Sequence, residues 1–141
     1  MLVIKRFSVG TGDRFGRQGA AQVAAFAKAR AAGVEASIVW NKSKREHDLI
    51  GSVPSDQRAA ASRAIAETGW TGPWHVDADH VGLATVEAFA PHCDFFTLDV
   101  ADFIGKSLES GRRLVDQTLF KKCEDCEPRI TRIRGDEISR D

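Results

Sequence analysis

The feature that most constrains this chain is a regular alternation of short strand-like segments with helix-like segments. The strand-like segments are rich in β-branched and aromatic residues and cover residues 3–9, 35–40, 73–79 and 94–100. Segments with helical periodicity lie between them, at about 17–32, 54–69 and 85–90. Strands that alternate with helices are typical of parallel βαβ units with right-handed crossovers. The sequence therefore predicts an α/β fold with a parallel sheet.

Alternate positions of the last three strands are apolar and polar. The apolar set is Ala36, Ile38, Trp40, Trp74, Val76, Ala78, Phe96, Leu98 and Val100. The polar set is Ser37, Asn41, His75, Asp77, Asp79, Thr97 and Asp99. Side chains of a strand point alternately to its two faces, so one face of the sheet is polar toward its carboxyl end. This pattern predicts parallel β/α units of a TIM-barrel-like fold, a partial barrel of about four strands with its chemistry at their carboxyl ends.

Composition limits the class of partner. Apolar residues make up 43% of the 141 residues, enough for one domain with a core. Lys and Arg together number 20, as do Asp and Glu, so no basic excess favours nucleic acid and a small-molecule ligand is expected. No apolar run reaches the roughly 20 residues of a membrane span, and none has the length of a signal-peptide core. The three cysteines have no secretory context, which predicts a cytoplasmic protein.

The segment Asp77–His80 is the strongest candidate for chemistry. Asp77 and Asp79 point the same way on a strand, and His80 follows where the strand is expected to end. Carboxylate oxygen and imidazole nitrogen suit a divalent metal ion such as Zn, Mn or Ni. A salt-bridged cluster is the alternative, since Asp79 is also well placed to cap a helix.

Further candidates follow the second and fourth strands. Asp99 and Asp102 end strand four, where each suits a metal ligand or a general base, and Asp102 equally suits a turn. Lys42 and His47 belong to a predicted polar loop over 41–47. Lys42 suits anion binding or proton abstraction, and His47 titrates near neutral pH. Solvated loop residues are the alternative for both.

The glycine-rich segment 10–16 lies where a dinucleotide-binding turn would lie. Asp13 would repel a pyrophosphate, and strand two does not end in an acidic residue that would hold a ribose. A tight turn that lets Arg14 bind a substrate carboxylate is the better interpretation. An ion-pair network between Asp13 and Arg14 is the alternative. Cys123 and Cys126 have metal or redox spacing but acidic neighbours and no second ligand pair, so we interpret them as incidental.

Several ordered blocks of this sequence resemble the tagaturonate epimerase family. They are residues 7–14, 39–43, 45–47, 77–80 and 94–102. The resemblance implies a TIM-barrel-like fold and a divalent-metal-dependent enzyme that interconverts tagaturonate and fructuronate at carbon 4. It also implies that the matched polar residues line the site. Asp99, Asp102 and Lys42 are then the candidates for proton transfer. Asp13, Arg14, Asn41, His47 and Asp77 are the candidates for sugar-acid binding, and Asp79 and His80 for metal binding.

The resemblance covers residues 7 to about 106, and members of the family are longer. We therefore expect a partial barrel domain over 1–106, a divergent helical or partly disordered tail over 107–141, and a truncated copy of the enzyme. Two other functions stay open. One is a non-catalytic fragment that binds metal or sugar acid and forms a homodimer over its open sheet edges. The other is a metal-dependent hydrolase that uses the same Asp and His residues.

Overall fold

Four parallel strands alternate with helices in the computed structural model, which describes residues 5–101. The predicted α/β class and the four parallel strands are confirmed. Asp102 and the expected tail over 107–141 lie outside the described residues. The elements are β1 (Ser8–Gly12), α1 (Gly19–Ala31), β2 (Ser37–Ser43), α2 (Lys44–Ile50), α3 (Pro54–Thr68), β3 (Trp74–Val81), α4 (Val86–Phe89) and β4 (Phe95–Leu98).

The sheet has the strand order β1-β2-β3-β4, so each strand pairs with the next one along the chain. This sequential parallel order is consistent with part of a β/α barrel. The register places Gly12, Asn41, Asp77 and Phe95 in one row across the four strands. That row lies near the carboxyl ends of β1 and β2, crosses the middle of β3 and meets the first residue of β4.

The core lies between the helices and one face of the sheet. Its strand residues are the alternating apolar positions predicted from the sequence, among them Ile38, Trp40, Val76 and Ala78. Helices contribute Val23, Ala61, Ala64, Val86 and Phe89. Burial of a large aliphatic or aromatic side chain stabilises a fold by about 1.5–3 kcal/mol, so this layer is the main source of stability.

Helix α3 is the element that local sequence signals predicted best. Pro54 occupies its first turn, where the missing N–H costs nothing, and the Asp56 side chain accepts the Val53 N–H at 2.9 Å. Gly69 follows the helix with a φ of 63°, a left-handed conformation that glycine adopts without strain. Within residues 5–101, no helix is long and apolar enough to cross a membrane.

The structure differs from the prediction at several element ends. Among the described residues the first strand covers Ser8–Gly12 and so runs past the predicted end at residue 9, because pairing of Ser8 with Ser37 on β2 sets its position. Strand β3 extends to Val81, and β4 already ends at Leu98. The predicted loop over 41–47 is wrong. Strand β2 continues to Ser43, and α2 begins at once because Ser43 and Glu46 form a capping box. This is a fourth helix, and the Ser-x-x-Glu spacing that signals it is visible in the sequence.

Candidate functional site

Two oxygen acceptors, on Asn41 and Asp77, lie on neighbouring strands of the polar face of the sheet. These residues are register partners on β2 and β3, on the face opposite the helices. Their Oδ1 atoms are buried and have no hydrogen-bond partner among residues 5–101. The other oxygen of Asp77 accepts a hydrogen bond of 2.7 Å from the Thr97 hydroxyl. Buried acceptors without a partner are rare in proteins, so their concentration here indicates a place for a polar ligand or water.

Strand β1 leaves room beside these acceptors. A Cβ atom at Gly10 would lie 3.6 Å from Nδ2 of Asn41, and one at Gly12 would lie 3.8 Å from its Oδ1. The Asn41 side chain therefore lies over two positions that carry no side chain. Gly10 and Gly12 both lie within β1, so they do not form a phosphate-binding loop. The predicted tight turn lies directly after the strand, at 13–16, where the Gly16 N–H donates to the Asp13 oxygen at 3.1 Å.

The carboxyl group of Asp77 is perturbed by its surroundings. Burial raises its pKa, and the negative charge of Asp79 raises it further. The hydrogen bond from Thr97 and the nearby His80 act in the opposite direction. A carboxyl group in this position exchanges a proton closer to neutral pH than an exposed one does.

Asp79 and His80 lie at an irregular end of β3. The pairing with β4 shifts register between Ala78 and Val81, and His80 has a φ of 54°, an uncommon backbone conformation for a residue with a side chain. Nε2 of His80 lies 3.6 Å from Oδ2 of Asp79, and the His80 side chain is 61% exposed. Residues 5–101 contain no group of three or more His, Cys, Asp or Glu that could hold a metal ion. The pair by itself falls short of the three or four protein ligands typical of a zinc site.

His75 lies below Asp77 on the same face of β3 and is buried. Its two ring nitrogens have no hydrogen-bond partner among residues 5–101, and Nδ1 is 3.8 Å from Oδ2 of Asp94. Asp94 is held in place by the Val76 N–H at 2.7 Å and by Arg58 at 3.1 Å. The sequence placed His75 on the polar face but did not single it out.

Asp13 and Arg14 do not pair with each other, which excludes the ion pair weighed as an alternative. Asp13 accepts the backbone N–H groups of Arg17 and Gln18, at 3.0 and 2.7 Å, and so holds the segment that leads into α1. Arg14 binds Glu46 through Nε at 3.3 Å and is 48% exposed. Glu46 is also the capping residue of α2, so one carboxylate orients both the helix and the arginine.

Lys42 is buried on the opposite face of β2 from Asn41. It lines a small cavity between the sheet and the first turns of α1 and α3, together with Gly19 and Gln57. Burial lowers the pKa of Lys42, and the carboxylates of Asp13, Glu46 and Asp56 oppose that change. Lys42 is thus a buried amine between β2 and the starts of α1 and α3.

His47 is buried in α2 and does not lie in a solvated loop. Nδ1 lies 2.8 Å from the Ser52 hydroxyl, and the ring packs against Phe89 with centroids 5.6 Å apart. Burial lowers the pKa of His47, and the positive charge of Lys42 lowers it further. The ring is therefore neutral at neutral pH.

Gln57 is a residue that sequence reasoning missed. It lies on α3 and is buried, and its amide Nε2 donates to the backbone oxygens of Trp40 at 2.8 Å and Asp77 at 3.5 Å. It thus connects α3 to both strands that carry the unpartnered acceptors. In an Ala-rich helix, a glutamine carries no signal of such a role.

Asp99 follows β4, is exposed, and has its N–H bound to the Val81 oxygen at 3.0 Å.

Comparison with models of known protein families shows to which family the chain is related. The model of the tagaturonate epimerase family matches residues 1–133. The chain belongs to the tagaturonate epimerase family. The resemblance seen in the sequence is confirmed, and the match continues beyond residue 106, where the resemblance was expected to end. Comparison with curated proteins and with solved structures found no match.

Proposed function

We propose that this member of the tagaturonate epimerase family binds a keto sugar acid on the polar face of its sheet and interconverts tagaturonate and fructuronate at carbon 4. One observation carries the proposal. Asn41 and Asp77 are register partners on neighbouring strands, and the Oδ1 atom of each is buried and has no partner among residues 5–101. Oxygen acceptors in such a place match the hydroxyl groups of a sugar acid, since each hydroxyl has a proton to donate.

Arg14 is the candidate for the substrate carboxylate. Glu46 contacts its Nε and so orients the guanidinium, whose side chain is about half exposed at the carboxyl end of the sheet. A guanidinium fixed in this way can present two parallel N–H groups to a carboxylate. Asp13 would contribute indirectly, because its hydrogen bonds to the backbone hold the segment that carries Arg14.

Inversion at carbon 4 needs at least one group that moves a proton. Asp99 and Lys42 are candidates within the described residues, and Asp102 lies outside them. Asp99 lies two residues beyond Thr97, which binds Asp77, whereas Lys42 lies on the opposite face of β2 from Asn41. We therefore favour Asp99 over Lys42 for proton transfer.

A divalent ion, Zn, Mn or Ni, is also proposed. Asp79 and His80 would hold it, because a carboxylate and an exposed imidazole lie next to each other there. These two residues do not complete a metal shell, and the remaining ligands would be water or groups outside residues 5–101. Such an ion, when bound, polarises oxygen atoms of a substrate.

The test is conversion of tagaturonate to fructuronate by the full chain, followed by NMR. Protein stripped with a chelator is assayed alone and after addition of Zn, Mn or Ni. We expect turnover, a loss of at least about 100-fold in kcat/KM for Asp77→Asn, and loss of metal activation for Asp79→Asn.

Asp48→Asn is the matched control, because Asp48 is an exposed carboxylate that pairs with Lys44 on the same helix, at 2.6 Å. Its kcat/KM should equal that of the wild type. Absence of turnover with every metal, or full activity of Asp77→Asn, would contradict the proposal.

We further propose that two copies associate through β1. In the described part of the chain β1 pairs with β2 alone, and the nearby side chains of Phe7 and Val9 are 57% and 49% exposed. An exposed strand edge with apolar side chains favours pairing with another strand.

A further inference from the structure

A run of hydrogen-bonding groups extends from the connection between α2 and α3 to the site. It begins at the Ser52 hydroxyl, 2.8 Å from Nδ1 of His47. It ends at Gln57, whose Nε2 donates to the backbone oxygens of Trp40 and Asp77. Asp77 carries one of the two unpartnered acceptors, and Trp40 immediately precedes the other, Asn41.

One link of this run is open in the structure. Nε2 of His47 and Oε1 of Gln57 are both buried, and neither has a hydrogen-bond partner among residues 5–101. The structure contains no bond between these two atoms, but the Gln57 side chain lies close enough to act on the His47 ring as a hydrogen-bonding group. Buried polar groups without a partner are costly, and pairing the two removes both costs.

The chemistry of the groups sets the direction of every bond. The oxygen of the Gln57 amide only accepts, so the His47 ring must carry its proton on Nε2. Nδ1 then accepts from the Ser52 hydroxyl, and the Gln57 amide nitrogen remains free to donate to the two strand oxygens. Each buried group in the run has a partner in this arrangement.

We propose that Gln57 is a positioning residue that joins Ser52 and His47 to the backbone of Trp40 and Asp77 through one hydrogen-bonded chain. This hydrogen-bonded chain forms whether or not a substrate is bound. Its effect on turnover rests on the proposed function. His47 then acts through Gln57 and does not touch the sugar acid.

The expected effect on the reaction follows from the residues at which the hydrogen-bonded chain ends. Gln57 holds the main chain at Asp77 and does not contact the proposed substrate position itself. A displacement of a reacting group by about 1 Å can cost about 100-fold in rate. Loss of Gln57 should therefore lower kcat by at least about 10-fold and change KM much less.

The experiment records the ring-nitrogen signals of the full chain by NMR, with His47→Asn used to assign His47 among the four histidines. We expect neutral His47 with its proton on Nε2. Gln57→Met keeps the length of the side chain and removes the amide. This variant should shift the His47 ring signals and the carbonyl carbon of Asp77, and should show the fall in kcat.

Gln22→Met is the matched control for the spectra. Gln22 is a glutamine on α1 that accepts from the Trp40 indole at 2.6 Å and donates to the Gly12 oxygen at 2.9 Å. Its amide contacts neither His47 nor Asp77 in these bonds, so the His47 ring signals should stay in place. If Gln57→Met does not fold, Ser52→Ala tests the other end of the chain, where the His47 Nδ1 signal should move.

A wild-type His47 with its proton on Nδ1 would overturn the proposal. So would unchanged His47 signals in Gln57→Met, or in Ser52→Ala if that variant is the one available. If the wild type does not convert tagaturonate, the proposed function fails. The His47 ring signals then still decide whether the hydrogen-bonded chain exists.

Discussion

At the scale of single residues, burial decides what the ionisable side chains can do. Asp77, Lys42 and His47 are all nearly inaccessible to solvent. They differ in which neighbouring groups offset the loss of solvation. Lys42 faces three carboxylates, whereas Asp77 has a hydroxyl and a second carboxylate nearby. The sequence shows the same residue types but not these surroundings. Roles assigned from residue type alone therefore needed the structure before they could be ranked.

The pH dependence of stability should report the burial of His47. Burial holds its pKa below the usual value near 6.5, so the unfolded chain binds more protons than the folded chain just below that pH. The stability contribution is complete above about pH 6.5 and is lost as the pH falls toward the folded-state pKa. We expect urea unfolding of His47→Asn to show a smaller loss of stability between pH 7 and pH 5 than the wild type. Equal slopes in the two proteins would contradict the buried neutral ring.

Cys93 should be inert in the folded protein. It is 8% exposed, and burial raises its pKa to about 12, so less than about one thiol in ten thousand is ionised at pH 7.5. In the Cys123→Ser, Cys126→Ser variant, the thiol reagent DTNB should react with one cysteine only when denaturant unfolds the chain. Complete reaction within seconds in native buffer would show that Cys93 is accessible.

At the scale of elements, helix ends control the position of the site. Asp13 holds the segment that leads into α1, Glu46 caps α2 and Asp56 caps α3, and all three carboxylates act on Lys42. Helix starts favour negative charge because their N–H groups are unpaired. The charge of Lys42 is therefore favoured by carboxylates near the starts of three helices, which offset part of the effect of its burial.

The contact between α1 and α3 depends on a glycine. A Cβ atom at Gly19 would lie 2.6 Å from the Cβ atom of Ala64, which is too close without movement of a helix. We expect Gly19→Ala to lower the free energy of unfolding by about 1–3 kcal/mol, although alanine is the better helix former.

Ala64→Gly provides the control for this contact. In the double variant the new methyl group of Gly19→Ala has space. A double-mutant cycle measured by urea unfolding should therefore give a coupling free energy of about 1 kcal/mol or more. Additive effects of the two substitutions would show that the helices do not meet at these positions.

At the scale of the whole molecule, the two faces of the sheet have different roles. The face toward the helices is apolar and supplies the core, and the opposite face carries Asn41, His75 and Asp77 with buried atoms that lack partners among residues 5–101. This division is typical of β/α barrels, in which stability and chemistry occupy separate parts of the fold. Substitutions on the polar face should therefore affect activity more than folding.

Association through β1 can be tested at this scale. We expect sedimentation velocity to show a concentration-dependent dimer, and Val9→Lys to shift it toward monomer, because a charged residue on an exposed strand edge opposes pairing. Leu49→Lys is the matched control, since Leu49 is a 69% exposed apolar residue on α2 and not on β1. A monomer at all concentrations, or an equal effect of both substitutions, would contradict association through β1.

The sequence by itself determined the α/β class, the four parallel strands, the boundaries of α3, the polar face of the sheet and the family. These follow from local periodicity, from proline and glycine at helix ends, and from ordered blocks of residues, all of which are readable along the chain. Within the site, it correctly placed Asn41, Asp77 and Thr97 on one face. Their roles, and those of Asp99, Asp102, Asp79 and His80, stay predictions.

Only the tertiary structure decided where β1 begins, which face of β2 carries Lys42, and what Asp13, His47 and Gln57 contact. Each of these depends on groups far apart in the sequence. Pairing with β2 sets the position of β1, and the extension of β2 to Ser43 turns Lys42 toward the helices. Gln57 meets the Trp40 oxygen across 17 residues and the Asp77 oxygen across 20. No local pattern encodes such contacts, because they form only when separate elements pack together.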